Sequence, residues 1–446
     1  MGRRLSMNGR PAPSNLALYV HVPFCARKCE YCAFFSEAAN GETVNRYVAA
    51  LIREMELVAS GIENLGEKHP HGTSSSFPSS ISKALSKTRT NHVGRHFTGT
   101  LQPRTIFFGG GTPSLLNLRQ WEQILDAMER LDLTGAGEWT VECNPATVSL
   151  DKARLLRSRG VNRISMGVQS LDESLLDRLG RVHSREMVFK SFDVLRQAGF
   201  DNINIDLMFG IPGQTIEVWR KTLGEALAIE SEHLSSYEVI YEEDTPLFAQ
   251  LRAGQFDVDE ELNCVMYDAL LEFAEARGLR QYEVANFARH RSGQPTEVPD
   301  LACRHNINYW RGGSFCGLGP SATGYVGGVR AKNRSNTEFY CERLEKGERA
   351  IESSEKLSPL ARAGETAAFG LRMNAGWPFG LFHATTGFDL RGEWVGEMNH
   401  LVECGWGRLE EDRFRLTQQG LRFADAAAEM CLRPDSACAG EALATR

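Results

Sequence analysis

Pro23-Phe24-Cys25-Ala26-Arg27-Lys28-Cys29-Glu30-Tyr31-Cys32 is the stretch on which the reading of this chain turns. Three cysteines fall in one short loop with the spacing C-x3-C-x2-C. The run before it, Leu16 to Val22, is apolar and alternating, as a β-strand is. A loop this short can present three thiolates to one face of a metal centre, and it cannot easily supply a fourth. A structural zinc site takes four protein ligands, whereas a [4Fe–4S] cluster held by three cysteines leaves one iron open. Cys25, Cys29 and Cys32 are therefore the expected cluster ligands. The alternatives are a zinc knuckle completed by His21, or three unrelated buried thiols.

Composition narrows the class. At 446 residues the chain has room for about three domains, or for one large barrel with additions. A net charge of -7, with no aromatic-studded basic stripe, argues against nucleic acid as a partner. Eleven cysteines without a secretory signal read as reduced, metal-serving thiols of a cytoplasmic protein, not as a disulfide framework. No apolar run approaches a membrane span, so an integral membrane protein is not expected. The segment MGRRLSMNGR is basic, but Pro11 and Pro13 follow at once and no apolar core accompanies it. Residues 1–15 read as a disordered tail, and so do residues 433–446.

From Leu16 onward, strand and helix periods alternate. Strands are expected at Leu16 to Val22, Thr105 to Phe108, Glu138 to Cys143, Arg163 to Val168, Asn202 to Met208 and His233 to Ile240, with helical spacing between them. Six βα units predict a parallel sheet curled into a partial (β/α)6 barrel over residues 16–245, an α/β fold. Residues 66–103, rich in Ser, Thr, His and Gly, read as a disordered insertion. Residues 246–350 read as a linking region. Within it Tyr282 to Phe287 looks like one strand, and Cys303 to Trp310 like an extended loop. Residues 351–432 read as a small winged-helix-like domain. Its hairpin tip carries Glu410, Glu411 and Asp412, which would face phosphates and so argues further against nucleic acid.

In parallel βα folds, sites form at the C-terminal ends of the strands. The cysteine loop follows the first strand and Gly109 to Pro113 follows the second. Glu142 closes the third, Gln169 the fourth, and Asp206 lies late in the fifth. The topology puts all of them on one rim. A glycine-rich turn there allows close backbone approach, and a carboxylate such as Glu142 suits ribose hydroxyls.

The stretches Tyr19-x-His21-x-Pro23-Phe24-Cys25, GGGTPSLL, VECNP, MGVQS and DLMFGIPGQT resemble the oxygen-independent coproporphyrinogen III oxidase family of radical-SAM proteins, over about Leu16 to Leu421 apart from the insertion. That resemblance implies a [4Fe–4S] cluster on Cys25, Cys29 and Cys32, whose open iron chelates the amino and carboxylate groups of S-adenosylmethionine (SAM). It implies Tyr19 and Tyr31 flanking the cluster and SAM, and Gly110, Gly111, Thr112 and Glu142 contacting SAM. Gln169, Arg181 and Asp206 correspond to further residues of the SAM pocket.

Two departures select a branch. The oxidases carry a cysteine two residues after the last cluster cysteine, where this chain has Phe34, and they have a longer arm before the cluster loop. With Cys303-Arg304-His305-Asn306-x-x-Tyr309-Trp310, these departures resemble the HemW branch. Members of that branch bind heme and hand it to acceptor proteins such as respiratory enzymes, some of them at the membrane. His305 is the expected heme-binding residue, since imidazole is a common axial ligand of heme iron. The competing expectations are an oxidative decarboxylase of coproporphyrinogen III and another radical-SAM enzyme, so catalysis stays open. Replacing any one of Cys25, Cys29 and Cys32 by Ala should abolish cluster assembly, because no neighbour can substitute at the right reach. Iron and sulfide analysis checks this; a variant with a full cluster contradicts it.

Overall fold

The computed structural model describes residues 16–60 and 102–433; the expectations for residues 1–15, 66–101 and 434–446 lie outside them. Six strands follow one another in parallel: β1 (Leu16–Val22), β2 (Thr105–Gly110), β3 (Glu138–Cys143), β4 (Arg163–Gln169), β5 (Ile203–Phe209) and β6 (His233–Glu238). Helices between them cover the outer face. Helix Leu118–Arg130 illustrates why these segments are helical. Asn117 accepts from the Gln120 amide while the Gln120 side chain accepts from the Asn117 amide, a reciprocal cap. Trp121, Ile124, Leu125 and Met128 then form one buried face at helical spacing. They meet outward residues of the sheet such as Ile106, Phe108 and Val141, all fully buried.

The sheet is larger than the six-strand barrel. In spatial order its strands are Ile351–Glu355, Val329–Asn333, Thr323–Val326, Ser314–Leu318, then β1 through β6, then Asn286–Ala288 and Arg280–Glu283. Ser314–Leu318 is a seventh parallel strand on the free side of β1, with Leu16 opposite Ser314. The outer strands on both edges are antiparallel. The segment read as a link thus supplies one edge of the barrel sheet and most of the other, whose outermost strand, Ile351–Glu355, comes from the start of the segment read as the C-terminal domain.

Two local expectations are corrected. The single strand at Tyr282 to Phe287 is a tight hairpin, because the Glu283 carboxylate accepts from the Ala285 amide and the Asn286 side chain and turns the chain there. The extended reading of Cys303 to Trp310 also fails. Arg304–Trp310 is a helix whose N-terminal amides, Arg304 and His305, are received by the Glu138 carboxylate at 2.8 and 2.9 Å. A tertiary partner supplies the cap that the local sequence lacks.

The C-terminal domain has its own core around Trp377, Phe382, Trp394, Leu401 and Phe414. Helices Pro359–Gly370, Phe379–Thr386 and Val395–Glu403 precede a hairpin, Gly407–Leu409 with Arg413–Leu416, and two short helices complete a winged-helix-like unit. The acidic tip is matched by arginines: Glu410 pairs with Arg415 at 2.7 Å and Asp412 with Arg413 at 2.8 Å.

Helix Gly41–Ser60 is tied to the seventh strand's far end by one fully buried carboxylate. Glu54 accepts from the Gly319 amide (2.8 Å), the Tyr340 hydroxyl (2.8 Å) and Asn333 Nδ2 (2.9 Å), and pairs with Arg349 at 3.4 Å. Glu54→Ala strands three donors and a cation, and should cost about 3–5 kcal/mol. Glu54→Gln, which keeps an acceptor, should cost less. Urea unfolding midpoints of the two variants check the order.

Candidate functional site

The cysteine loop leaves β1 at the C-terminal rim. Its two limbs are held by a short parallel ladder, Phe24–Cys25 against Glu37–Ala38, and Glu30 ties its tip to the Leu179 carbonyl and the Leu247 amide. Cys25, Cys29 and Cys32 are half-buried and none is in a disulfide. The Thr112 hydroxyl donates to Cys25 Sγ at 3.5 Å, and Arg181 Nη1 donates to Cys29 Sγ at 3.4 Å. Donors directed at sulfur are the surroundings of an anionic thiolate centre.

Zinc fits less well. Among the described residues no group of three or more His, Cys, Asp or Glu is placed to hold a single metal ion. The proposed fourth ligand is already engaged: His21 Nε2 donates to the Phe35 carbonyl at 2.9 Å, and Nδ1 accepts from the Tyr19 hydroxyl at 3.0 Å. A cluster presents a separate iron to each thiolate and needs no such convergence.

The glycine turn explains how β2 reaches the loop. Gly110 has φ +104°, and a Cβ there would lie 2.4 Å from the His21 ring; one on Gly111 would lie 2.7 Å from the Val22 and Phe24 carbonyls. The bare backbone lets the Gly111 and Thr112 amides bond Val22 and Phe24 at 2.8 and 2.7 Å. The Gly110 amide donates to Glu142 Oε2 at 3.2 Å. Gln169 takes φ +67° beside a register shift in the β4–β5 pairing, an unusual conformation for a non-glycine residue. Arg181 Nη2 donates to the Gly167 carbonyl at 2.6 Å, and Tyr31 packs beside Leu175, Leu179 and Met208. Tyr31, Gly110, Gly111, Thr112, Glu142, Gln169, Arg181 and Asp206 therefore share the rim that carries the cysteines, with Tyr19 one step deeper beside His21 and Phe107.

His305 does not join them. It lies at the opposite end of the barrel, 1% exposed, with Nδ1 2.9 Å from the Thr105 hydroxyl and Nε2 3.0 Å from the Tyr309 hydroxyl. Burial, and then the positive charge of Arg163, lower its pKa to about 3, so it is neutral.

The polar filling of the barrel between these two levels was not anticipated. Asn204 Nδ2 donates to Asp206 Oδ1 at 2.7 Å, so its Oδ1 receives His233 Nδ1 at 2.6 Å. His233 Nε2 then accepts from the Tyr282 hydroxyl at 2.7 Å, whose oxygen receives the Cys303 amide at 3.1 Å. Arg163, 2% exposed, stands among these groups with its Nε unpaired. The signal was the period-2 row of polar residues inside strands, Glu138-Thr140-Glu142 and Arg163-Ser165, whose alternate residues are core.

Burial, and next the Asp206 carboxylate, raise Glu142 to about 8, against the pull of the Gly110 amide and Arg163. Burial also raises Asp206 above the usual range. A protonated carboxyl donates as well as accepts, which suits a hydroxyl-bearing ligand.

The pattern of the Radical SAM superfamily matches residues 99–226, and that of the HemN C-terminal domain matches residues 357–423. The Heme chaperone HemW of Bacillus subtilis (strain 168) is 31% identical over 405 residues, 90% of this chain and 95% of that one. The Heme chaperone HemW of Lactococcus lactis subsp. lactis (strain IL1403) is 32% identical over 80% of this chain and 82% of its own. Among solved structures, coproporphyrinogen III oxidase (HemN) from Escherichia coli superposes with TM-score 0.73 at 20% identity, over 94% of this chain and 90% of that one, a likeness of fold.

The raised Glu142 pKa has a consequence for the protein without ligands. The stability it contributes is present below its ordinary value, 4.5, and is lost as pH rises through about 8. Glu142→Gln should flatten the pH dependence of the unfolding midpoint in that window. Equal slopes for variant and wild type would exclude the shift.

Proposed function

Since this chain belongs to the HemW family of radical SAM proteins, we propose that it is a cytoplasmic heme chaperone, which binds heme and transfers it to acceptor proteins. Membership in the radical SAM superfamily implies a [4Fe–4S] cluster and S-adenosylmethionine. In this reading Cys25, Cys29 and Cys32 hold the cluster, and Tyr19, Tyr31, Gly110, Gly111, Thr112, Glu142, Gln169, Arg181 and Asp206 form the surrounding SAM pocket. When bound, the cluster supplies an iron open to the amino and carboxylate groups of SAM. The chain's own residues do the rest. Thr112 and Arg181 orient two thiolates, and Glu142 offers a carboxyl toward hydroxyl groups. Acceptors at the membrane fit the role. Among the described residues no helix is long and apolar enough to cross one.

The observation that carries the reading is the relationship to heme chaperones across both the barrel and the C-terminal domain. Phe34 supports it over the oxidase alternative: it stands 68% exposed two residues after Cys32, where the oxidases resemble one another in having a cysteine. For heme, the pair Cys303 and His305 divides on charge state. Burial raises the Cys303 thiol to about 12, and Sγ–H faces Glu138, so at neutral pH it is not a thiolate. His305 is neutral, the form that ligates iron. Thr105 can keep Nδ1 oriented while Nε2 exchanges Tyr309 for iron.

Heme titration of the reconstituted full-length protein tests this. His305→Ala should lower heme affinity roughly tenfold or more, or alter the Soret band, with the cluster signal unchanged; about 1.4 kcal/mol corresponds to tenfold. Cys303→Ala should do neither. If neither substitution changes heme binding, the ligand lies elsewhere. Decarboxylation of coproporphyrinogen III by a protein that binds no heme would replace the chaperone reading with the enzyme.

A further inference from the structure

Arg181 stands in the short connection between helices Glu173–Arg178 and Arg185–Gln197. Its guanidinium turns inward, across the rim. Nη2 is fixed on the Gly167 carbonyl at 2.6 Å, and this anchor directs Nη1 at Cys29 Sγ, 3.4 Å away. Nε is buried without a hydrogen-bond partner. Among the described residues Arg181 forms no ion pair with a carboxylate, in contrast to Arg159, Arg196 and Arg330, which each have two or one within 3 Å. Its polar side-chain partner is a sulfur atom.

A largely buried cation needs a counter-charge. The Asp206 carboxyl supplies part of it through space; three thiolates holding a cluster supply more, and each electron added to the cluster increases it. A fixed positive charge at hydrogen-bond distance from one of those sulfurs therefore favours the reduced state over the oxidised one. Hydrogen bonds to the sulfurs and net charge are the levers that set cluster potentials. The three ligands are unequal in this respect. Cys29 receives a charged donor and Cys25 the neutral Thr112 hydroxyl. Cys32 receives no side-chain donor among the described residues, only a backbone bond near Phe34.

We infer that Arg181 is a positioning residue for the iron–sulfur cluster: it holds the Cys29 thiolate and raises the cluster's reduction potential, independently of any part it takes in binding SAM. This rests on the cluster reading of Cys25, Cys29 and Cys32 given above.

The test is an EPR-monitored redox titration of the anaerobically reconstituted full-length protein, without added SAM. Wild type is compared with Arg181→Gln and Arg181→Met, with iron and sulfide measured in each. At a fixed solution potential the reduced-to-oxidised ratio should fall at least tenfold in both variants, a midpoint lower by ~59 mV for one electron. A variant with a full cluster and the wild-type midpoint overturns the inference. Loss of the cluster from both variants overturns it too, in favour of a purely structural role. Wild-type protein that assembles no [4Fe–4S] cluster overturns the underlying site reading instead, so the two failures are distinguishable.

Discussion

The end of β2 meets the end of β1 without side chains between them, and the cysteine loop depends on that contact. Gly110 and Gly111 give up their Cβ atoms so that two backbones can bond at 2.8 and 2.7 Å. Three consequences follow from one short run. The loop's starting point is fixed, because Val22 and Phe24 are held by Gly111 and Thr112. The Thr112 hydroxyl arrives at Cys25. The Gly110 amide arrives at Glu142 and links the third strand to the other two. An added methyl at Gly110 would combine a left-handed backbone with a collision against His21. His21 in turn holds the Phe35 carbonyl, so the disturbance would reach the returning limb of the loop as well.

The six barrel strands and their shared rim were legible because both are local properties. Apolar alternation marks each strand, and the βα topology brings all the C-terminal ends to one side. What could not be read depends on partners far away in sequence. Ser314–Leu318 pairs with Leu16–Val22 across nearly the whole barrel, and nothing local announces such a pairing. The helix Arg304–Trp310 begins at Cys303, which gives no side-chain cap, and Glu138 supplies the acceptor instead. Without Glu138 in view, the segment reads as extended.

The barrel interior is a polar column, in contrast to the apolar layers of many closed barrels. Its cost is desolvation, and it is met by mutual pairing: each buried donor from Cys303 up to Asn204 has an acceptor one step closer to Asp206. Such one-way chains polarise and strengthen their members. The column ends at the rim in two carboxyls, Asp206 and Glu142, that burial holds above the usual range. A pocket of this kind suits a ligand with hydroxyl and charged groups better than a hydrocarbon, in keeping with SAM at the rim. Arg163 inside the column limits how much negative charge the two carboxyls must bear alone.

A chaperone of the kind proposed would have to release what it binds, and the hydrogen bonds of His305 at the base of the barrel bear on that. In the proposed function His305 would leave a hydrogen bond from Tyr309 to ligate iron, and that bond would re-form when heme departs. Each neutral hydrogen bond of this type is worth about 0.5–1.5 kcal/mol net. On that reading the ready-made internal partner would lower heme affinity by up to roughly tenfold relative to a free imidazole. The helix that carries His305 adds to the cost, because opening it must also disturb the Glu138 contacts at its N-terminus. On that reading an acceptor with an unencumbered axial ligand would hold heme more tightly than this site. In the proposed function the direction of transfer would follow from that difference in affinity and would need no chemical step.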